Sequence, residues 1–274
     1  AVCGMSCYVP GGCTSGREFW DMLCRGHDSV EKIPMSRFDV DALDGTASEL
    51  YVKRGHFVAN VELFDNVCFG ISALEAKHID PQQRLLLEAG FDALVRAGHT
   101  KETLMGRDIG VFVGICATEW SAAFVALASN SFANHGSDNG SAAGRLSYLL
   151  GLKGPCMAIN TACSSSLVSL DSANQALSLG RCSSALVGGV NLLLHHESWP
   201  GFCAMNALSP DGLCKSFDSS ADGYGRAESC GAVLLELLLD EERHGERAVA
   251  LLRGSAVNQD GRSASFMAPN GPSQ

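Results

Sequence analysis

The chain has 274 residues, of which 46% are hydrophobic and 18% charged, and its formal net charge is −10. This length and apolar content allow one large or two ordinary domains with a substantial core. The acidic balance and the lack of a basic run argue against a nucleic-acid-binding surface. The apolar runs are too short to span a bilayer and no secretion signal stands at the start, so we expect a soluble protein without a membrane span.

Twelve cysteines are spread through apolar segments from Cys3 to Cys230. No C-x-x-C pair occurs, and Cys3 and Cys7 lack a matching second pair of ligands, so we expect neither a disulfide scaffold nor a zinc site. Eleven of the cysteines are interpreted as reduced structural residues of an intracellular protein. The twelfth, Cys163, has a different setting.

Apolar, β-branched runs predict buried strands at residues 2–5, 109–115, 156–159, 185–194, 230–239 and 248–257. The clearest helix between them has Asp80 as its N-cap and Pro81 at its first position, and it ends at Gly98. Strands that alternate with helices predict an α/β sheet covered on both faces. Residues 34–70 have mixed polarity and are expected to lie over the sheet.

Cys163 lies in the segment NTACSSSL, residues 160–167. A short apolar run before it predicts the end of a buried strand, and apolar residues from Leu167 to Leu177 follow at near-helical spacing. This places the sulfur at the first turn of a helix, where unpaired N–H groups and the macrodipole favour a thiolate over a thiol. The small residues around Cys163 leave space for its sulfur and would fill a core poorly. The pattern therefore predicts a nucleophile.

The same octet resembles the nucleophile segment of β-ketoacyl synthases, particularly the condensing domains of modular type I polyketide synthases. Eight further segments resemble this family in the same order along the chain: residues 4–12 with 18–20, 80–88, 144–148, 151–155, 185–191, 208–212, 221–224 and 258–262. The resemblance implies a thiolase-like fold, in which two similar α/β halves stack on each other and each contains a mixed sheet covered by helices on both faces. We expect residues 1–274 to be the N-terminal portion of such a domain, cut at both ends.

The resemblance also implies a function. Cys163 would accept an acyl group from a carrier-protein thioester, with its own N–H as one oxyanion-hole donor, for condensation with a malonyl-type extender. The family's two histidine motifs and its lysine do not occur in this sequence, so we expect the segment to be inactive alone. We expect no bound metal or cofactor in this segment, because its substrates would be carried on the phosphopantetheine of an acyl carrier protein. The resemblance implies a homodimer, and the small residues 136–143 fit a subunit contact. The expected location is cytoplasmic, or plastid if a targeting segment lies upstream.

Two alternatives stay open. The chain could be a non-catalytic structural or chain-length partner in a condensing-enzyme heterodimer, although the cysteine at position 163 argues against this. It could also be a CoA-dependent thiolase-like enzyme, which shares the fold and the nucleophile. Neither the polyketide nor the fatty-acid pathway is singled out by the residues themselves.

Several other residues receive a structural interpretation. His195 and His196 are expected to lie in a loop rather than act as an acid/base pair. The remaining expectations are a capped and solvated helix at Asp80 and Glu88, a subunit interface at Arg145 and Tyr148, and turns at Asp211-Gly212 and Asp222-Gly223. Ala227-Glu228-Ser229 departs from the family's Gly-Glu-Gly, which leaves the local backbone geometry open.

Overall fold

The computed structural model describes residues 1–46, 49–123, 135–238, 248–265, 268 and 270–273. Its strands are β1 (Val2–Tyr8), β2 (Glu31–Lys32), β3 (Arg54–Gly55), β4 (Ile109–Ile115), β5 (Cys156–Ile159), β6 (Ser184–Asn191) and β7 (Ser229–Glu236). Its named helices are α1 (Gly16–Cys24), α2 (Ala73–His78), α3 (Pro81–Arg96), α4 (Lys101–Leu104), α5 (Glu119–Ala123), α6 (Gly140–Leu150), α7 (Ser165–Ser178) and α8 (Ser198–Ala204).

Five strands form one mixed sheet in the order β1-β7-β6-β4-β5. Strands β5, β4 and β6 run parallel, whereas β7 is antiparallel to both of its neighbours. Alternate side chains of β4 belong to different cores. Val111 and Val113 pack with α3 and α6, and Phe112 packs with α7 on the opposite face. The predicted mixed sheet with helices on both faces is confirmed.

The strand predictions differ from the structure mainly at their ends. Strands β4 and β5 have the predicted bounds, and β1 runs three residues beyond its predicted end. Strand β6 ends at Asn191 rather than at residue 194. The next two backbone N–H groups leave the ladder because they donate to side chains, Leu192 to Gln82 Oε1 at 3.2 Å and Leu193 to Glu228 Oε1 at 2.9 Å. Residue 239, the predicted end of β7, lies outside the described residues.

The strand predicted over residues 248–257 is wrong. Within this range, only Ala250 forms a bridge to a strand, at Val2 on the outer edge of β1. Further along, the Ser255 hydroxyl donates to Asp171 of α7 at 2.7 Å. The chain is therefore held over a helix instead of continuing along the sheet.

Helix α3 begins as predicted. The Asp80 carboxylate accepts a hydrogen bond from the Gln82 N–H at 2.8 Å, and Gly98, with φ of 92°, follows the end of the helix. The Asp80 side chain was expected to be solvated, and this prediction is wrong, since the residue is 1% exposed. Burial raises the pKa of its carboxyl group to about 6. Glu88 is half-buried and accepts from the Asp65 N–H at 3.2 Å, and burial raises its pKa as well.

The excursion expected over the sheet instead forms a small second core beyond the end of β6. Phe57 and Val52 pack there against Leu193, Trp199 and residues near them. The helices already cover the two faces of the five-stranded sheet. Among the described residues of the excursion, those in its last part, around Val58 and Phe69, join the main core.

Two glycines allow α7 to approach the sheet closely. A Cβ built at Gly114 of β4 would lie 2.5 Å from the Ser166 nitrogen and 2.6 Å from the Ser165 carbonyl carbon. A Cβ at Gly189 of β6 would lie 2.7 Å from the Ser166 Cβ. Because no other residue type lacks a Cβ, both positions require glycine for the first turn of α7 to rest on β4 and β6.

We expect Gly114→Ala to lower the free energy of unfolding by about 3 kcal/mol, because the added methyl group meets backbone that cannot rotate away. Gly144→Ala is the matched control, since a Cβ there meets nothing within 4 Å. It lies inside α6 and should stabilise by about 0.5–1 kcal/mol. Urea denaturation of both variants measures the difference. Equal stability of the two variants would contradict the close approach.

Candidate active site

Cys163 occupies the turn between β5 and α7 and is exposed. The N-cap of α7 is Ser164, so the sulfur belongs to the residue just before the cap rather than to the first turn as predicted. Ala162 has φ of 57°, a left-handed conformation that is uncommon for a residue with a Cβ. Such strain persists only where surrounding contacts fix it.

Side chains of the serine run fix this turn. The Ser165 hydroxyl accepts from the Thr161 N–H at 2.8 Å and donates to the Ala162 carbonyl at 2.6 Å. The Ser164 hydroxyl donates to the Thr161 carbonyl at 2.9 Å, and the Asn160 side chain accepts from the Ala162 N–H at 3.1 Å. From the sequence, these small residues are expected to leave space around the sulfur. In the structure they also determine the backbone conformation that exposes it.

Tyr224 lies within electrostatic range of Cys163. Burial raises the pKa of the Tyr224 phenol, the Arg226 guanidinium lowers it, and negative charge at Cys163 raises it. The Tyr224 backbone is fixed, since its N–H donates to Ala207 O and its carbonyl accepts from Ser209 N–H, both at 3.0 Å. The sequence indicates only a turn and a family segment at residues 221–224 and does not predict this proximity.

The Arg226 guanidinium lies over two aromatic rings. Its guanidinium carbon lies 4.7 Å from the Trp199 ring centre and 4.9 Å from that of Phe202. Its Nη1 donates to the Ser198 hydroxyl at 2.7 Å, and the Glu119 carboxylate is 3.9 Å away. Burial lowers the pKa of Arg226, and Glu119 opposes that effect.

His195 and His196 lie in a loop after β6, as predicted. Their rings are 4.3 Å apart, and the His196 ring is 6.0 Å from Phe38. The His195 N–H donates to Glu119 at 2.9 Å. Among the described contacts, none joins either imidazole to Cys163.

Arg145 makes its contacts within the chain. It donates to Glu75 at 2.9 Å and to the Gln83 amide oxygen at 3.0 Å. Tyr148, one turn further along α6, is 84% exposed. In the small-residue segment 136–143, a Cβ at Gly136 would lie 2.0 Å from the His78 carbonyl oxygen, so this residue packs against its own chain.

Glu228 forms a fully buried ion pair with Arg37. The carboxylate is 0% exposed and accepts from the Arg37 Nε and Nη2 at 2.7 Å each. It also accepts from the Val58 N–H at 2.8 Å and the Leu193 N–H at 2.9 Å. Its own N–H donates to the His56 carbonyl at 2.9 Å and Ser229 begins β7, so the departure from Gly-Glu-Gly leaves ordinary backbone geometry.

The predicted turn at Asp211-Gly212 is present, whereas the one predicted at Asp222-Gly223 is wrong, because the nearest turn closes earlier, with the Ala221 N–H donating to the Asp218 carbonyl. The two segments are nevertheless joined to each other. Gly212 and Gly223 have φ of 77° and 141°. The Lys215 ammonium lies 2.9 Å from carboxylate oxygens of both Asp211 and Asp222. Hydrogen bonding to Lys215 lowers the pKa of Asp211 to about 2. This network closes the loop that carries Tyr224.

Two cavities are found elsewhere on the described part of the chain. One of about 370 Å³ lies between α7 and the end of β7, and one of about 470 Å³ lies beside Arg37 and Phe57. Neither contains Cys163. Within the described ranges, no cluster of three His, Cys, Asp or Glu side chains is arranged to hold a metal ion.

Membrane insertion by a helix is not supported in the described ranges, where no helix combines the length and hydrophobicity needed to cross a bilayer.

A family model described as the β-ketoacyl synthase N-terminal domain matches residues 1–241. The chain therefore belongs to the β-ketoacyl synthase family, as its motifs indicated.

The similar proteins within this family are polyketide synthases. The chain is 43% identical over 281 residues to the polyketide synthase GfsB of Streptomyces halstedii, and 41% identical over 280 residues to a phenolphthiocerol/phthiocerol polyketide synthase of Mycobacterium tuberculosis. All of this chain is covered in both alignments, but only 5% and 15% of those proteins. The chain thus spans a small part of the curated relatives it matches.

Solved structures show the same fold. The module 6 ketosynthase of the Bacillus subtilis bacillaene synthase, also solved as a cysteine-to-serine mutant, has a TM-score of 0.85 and 36% identity. The OzmH KS7 ketosynthase domain of Streptomyces albus has a TM-score of 0.89 and 34% identity. The alignments cover 100% and 98% of this chain, and 46% and 47% of those chains. The thiolase-like fold predicted from the sequence is confirmed.

We expect Glu228→Leu to lower the free energy of unfolding by about 3–5 kcal/mol, because it leaves the buried Arg37 charge unpaired. Lys32→Met is the control, since the Lys32–Asp41 pair is more than half exposed on both sides and contributes at most about 1 kcal/mol. Denaturant midpoints of the two variants measure the contrast. A Glu228→Leu cost as small as that of Lys32→Met would contradict the structural role of the ion pair.

Proposed function

We propose that this chain is part of a polyketide-synthase condensing domain in which Cys163 is the acyl-accepting nucleophile. The observation that carries the proposal is the exposed Cys163 in a strand–turn–helix connection of a β-ketoacyl synthase family member. The Cys163 sulfur attacks the carbonyl of an acyl thioester, and the phosphopantetheine thiol of the acyl carrier protein leaves. A malonyl-type extender then loses carbon dioxide, and its carbanion attacks the acyl-enzyme to form the new C–C bond and release the sulfur.

The electrostatic setting supports the first step. Helix α7 has 14 residues and begins two positions after Cys163, so its unpaired N–H groups and dipole favour negative charge at the turn. In the tetrahedral intermediate the Cys163 N–H would donate to the oxyanion, a contact for which loss of one donor typically costs about 3–4 kcal/mol in the barrier. The left-handed Ala162 and the serine hydrogen bonds hold the turn before substrate arrives.

Decarboxylation and condensation require groups beyond these 274 residues. The solved ketosynthase domains are about twice as long as the part this chain covers, at 46% and 47%. We assign residues 1–274 to the N-terminal portion of the domain and the missing histidines and lysine to the remainder. Leu167, in the first turn of α7, is 69% exposed, which fits a surface that the remainder covers. The segment alone would therefore be inactive.

The two alternative functions, a non-catalytic heterodimer partner and a CoA-dependent thiolase-like enzyme, receive less support than the condensing domain. A structural partner would not need a cysteine in this turn, and the similar proteins named above are polyketide synthases rather than thiolases or fatty-acid synthases. Substrates would accordingly arrive on an acyl carrier protein rather than on CoA. These relatives are bacterial, which supports a cytoplasmic location and gives no support to a plastid.

Cys163→Ala should abolish covalent acylation of the complete domain by an acyl-carrier-protein thioester, because no sulfur remains to form the new thioester. Cys214→Ala, which removes another exposed cysteine, should keep one acyl group per chain. Intact-protein mass spectrometry measures the adduct. An acyl group retained in Cys163→Ala would disprove the assignment of the nucleophile.

We also propose a homodimer that forms along the open edge of β5. Strand β5 is the last strand of the sheet, and both Cys156 and Met157 on it are exposed. Helix α6 packs beside this strand and presents the exposed Tyr148 nearby. An unpaired strand edge next to apolar side chains is suited to pairing with a second copy.

Met157→Asp should shift the complete domain from dimer to monomer in light scattering, because two carboxylates would be brought together at the shared edge. Met35→Asp changes another exposed methionine, 73% exposed and away from β5, and should leave the mass unchanged. An unaltered dimer in Met157→Asp would exclude this edge as the interface.

A further inference from the structure

Ser29 and His56 form a hydrogen-bonded pair that the condensation chemistry does not use. The Ser29 hydroxyl lies 3.0 Å from the His56 Nδ1, and the His56 Nε2 lies 3.2 Å from the Gly212 carbonyl oxygen. Because a carbonyl oxygen can only accept, Nε2 carries the hydrogen, and Nδ1 of the neutral ring is left to accept from the hydroxyl. A hydroxyl, an imidazole base and a third group that orients the base are the parts of an activated nucleophile.

Backbone contacts hold the imidazole and its orienting carbonyl in place. The His56 N–H donates to the Arg226 carbonyl at 3.0 Å, and the His56 carbonyl accepts from the Glu228 N–H at 2.9 Å. A Cβ built at Gly225 would lie 2.0 Å from the Gly212 carbonyl oxygen and 3.5 Å from the His56 Nε2. Glycine at position 225 is therefore required for this carbonyl to reach the ring, and the pair is arranged before any ligand arrives.

Ser29 borders a space large enough for a small ligand. The larger cavity, of about 470 Å³, is lined by Ser29 but not by His56, so the base is withdrawn from the space that the hydroxyl borders. Gly11 and Gly12 line the same cavity, and a Cβ built at Gly11 would lie 3.7 Å from the Ser29 Cβ. Among the described hydrogen bonds, none uses the N–H of either glycine. These two donors are therefore available for an oxyanion formed beside Ser29.

The charges of the cavity wall favour an uncharged substrate. Asp28, Glu31 and Glu62 line the cavity. Arg37 also lines it, but its guanidinium is paired with the buried Glu228 and does not neutralise these three carboxylates. An anionic acyl group, such as one that carries a free carboxylate, would be repelled by this wall.

We propose that Ser29 is a second acyl-accepting nucleophile, activated by His56, that reacts with small uncharged esters or thioesters. His56 Nδ1 takes the hydroxyl proton as the Ser29 oxygen bonds to the acyl carbon, and the same proton passes to the departing alcohol or thiol. Water then hydrolyses the acyl-serine to release a carboxylic acid. No step involves Cys163, so this reaction can be measured separately from condensation.

The test uses the complete ketosynthase-containing protein and an uncharged alkyl fluorophosphonate, from which the serine oxygen displaces fluoride while His56 keeps the proton. Trypsin releases Ser29 in the peptide 26–32 and Ser36 in the peptide 33–37, each with a single serine, so mass spectrometry follows both labelling rates. Ser36 is an internal control, because it is exposed and lines the same cavity, and its described side-chain partner is Arg37. We expect Ser29 to react at least about 100-fold faster than Ser36.

His56→Gln retains an acceptor for the Ser29 hydroxyl but cannot take its proton, so it should slow the labelling of Ser29 at least about 100-fold. His27→Gln is the matched control, since His27 lines the same cavity and should leave the rate unchanged. An excess of p-nitrophenyl acetate, an uncharged acyl ester, should protect Ser29 from the label because it reacts at the same hydroxyl.

The proposal is overturned if Ser29 reacts no faster than Ser36, if His56→Gln reacts as fast as the parent, or if His27→Gln slows labelling as much as His56→Gln. Labelling that p-nitrophenyl acetate does not slow would also overturn it. Circular dichroism verifies the fold of each variant. If His56→Gln is unfolded, the ratio of the Ser29 and Ser36 rates in the parent protein decides the question.

Discussion

The close contact between the first turn of α7 and two strands determines the rest of the candidate site. Gly114 and Gly189 have no Cβ, so the backbone of Ser165 and Ser166 can rest directly on β4 and β6. Because α7 sits this deep, the connection from β5 must turn within a few residues, and Cys163 is left at its outer side. The exposure of the sulfur is thus a consequence of packing beneath it.

Local patterns predicted the elements that depend on local chemistry. The apolar runs of β4 and β5 and the Asp80–Pro81 start of α3 match the structure because periodicity and capping are properties of neighbouring residues. The strand–turn–helix setting of Cys163 was predicted for the same reason. The strand expected around Ala250 is absent because apolar character does not guarantee a partner. In the described part of the chain, Ala250 makes a single bridge to Val2 at the edge of β1.

Contacts between distant segments were not predictable from one sequence. Glu228 pairs with Arg37 across 191 positions, and no periodicity or motif connects them. The position of Tyr224 near Cys163 likewise depends on a loop closed by Lys215 and two aspartates, residues that locally indicate only turns. The sequence therefore defined the nucleophile candidate, whereas its electrostatic surroundings required the assembled fold.

The left-handed backbone at Ala162 limits how this position can change over evolution. Left-handed φ costs a β-branched or bulky residue more than it costs alanine, and glycine would adopt it freely but would also increase the entropy of the unfolded chain. Alanine is a compromise between these two penalties. Substitution at position 162 should accordingly be restricted to the smallest side chains and asparagine, even though the residue performs no chemistry of its own.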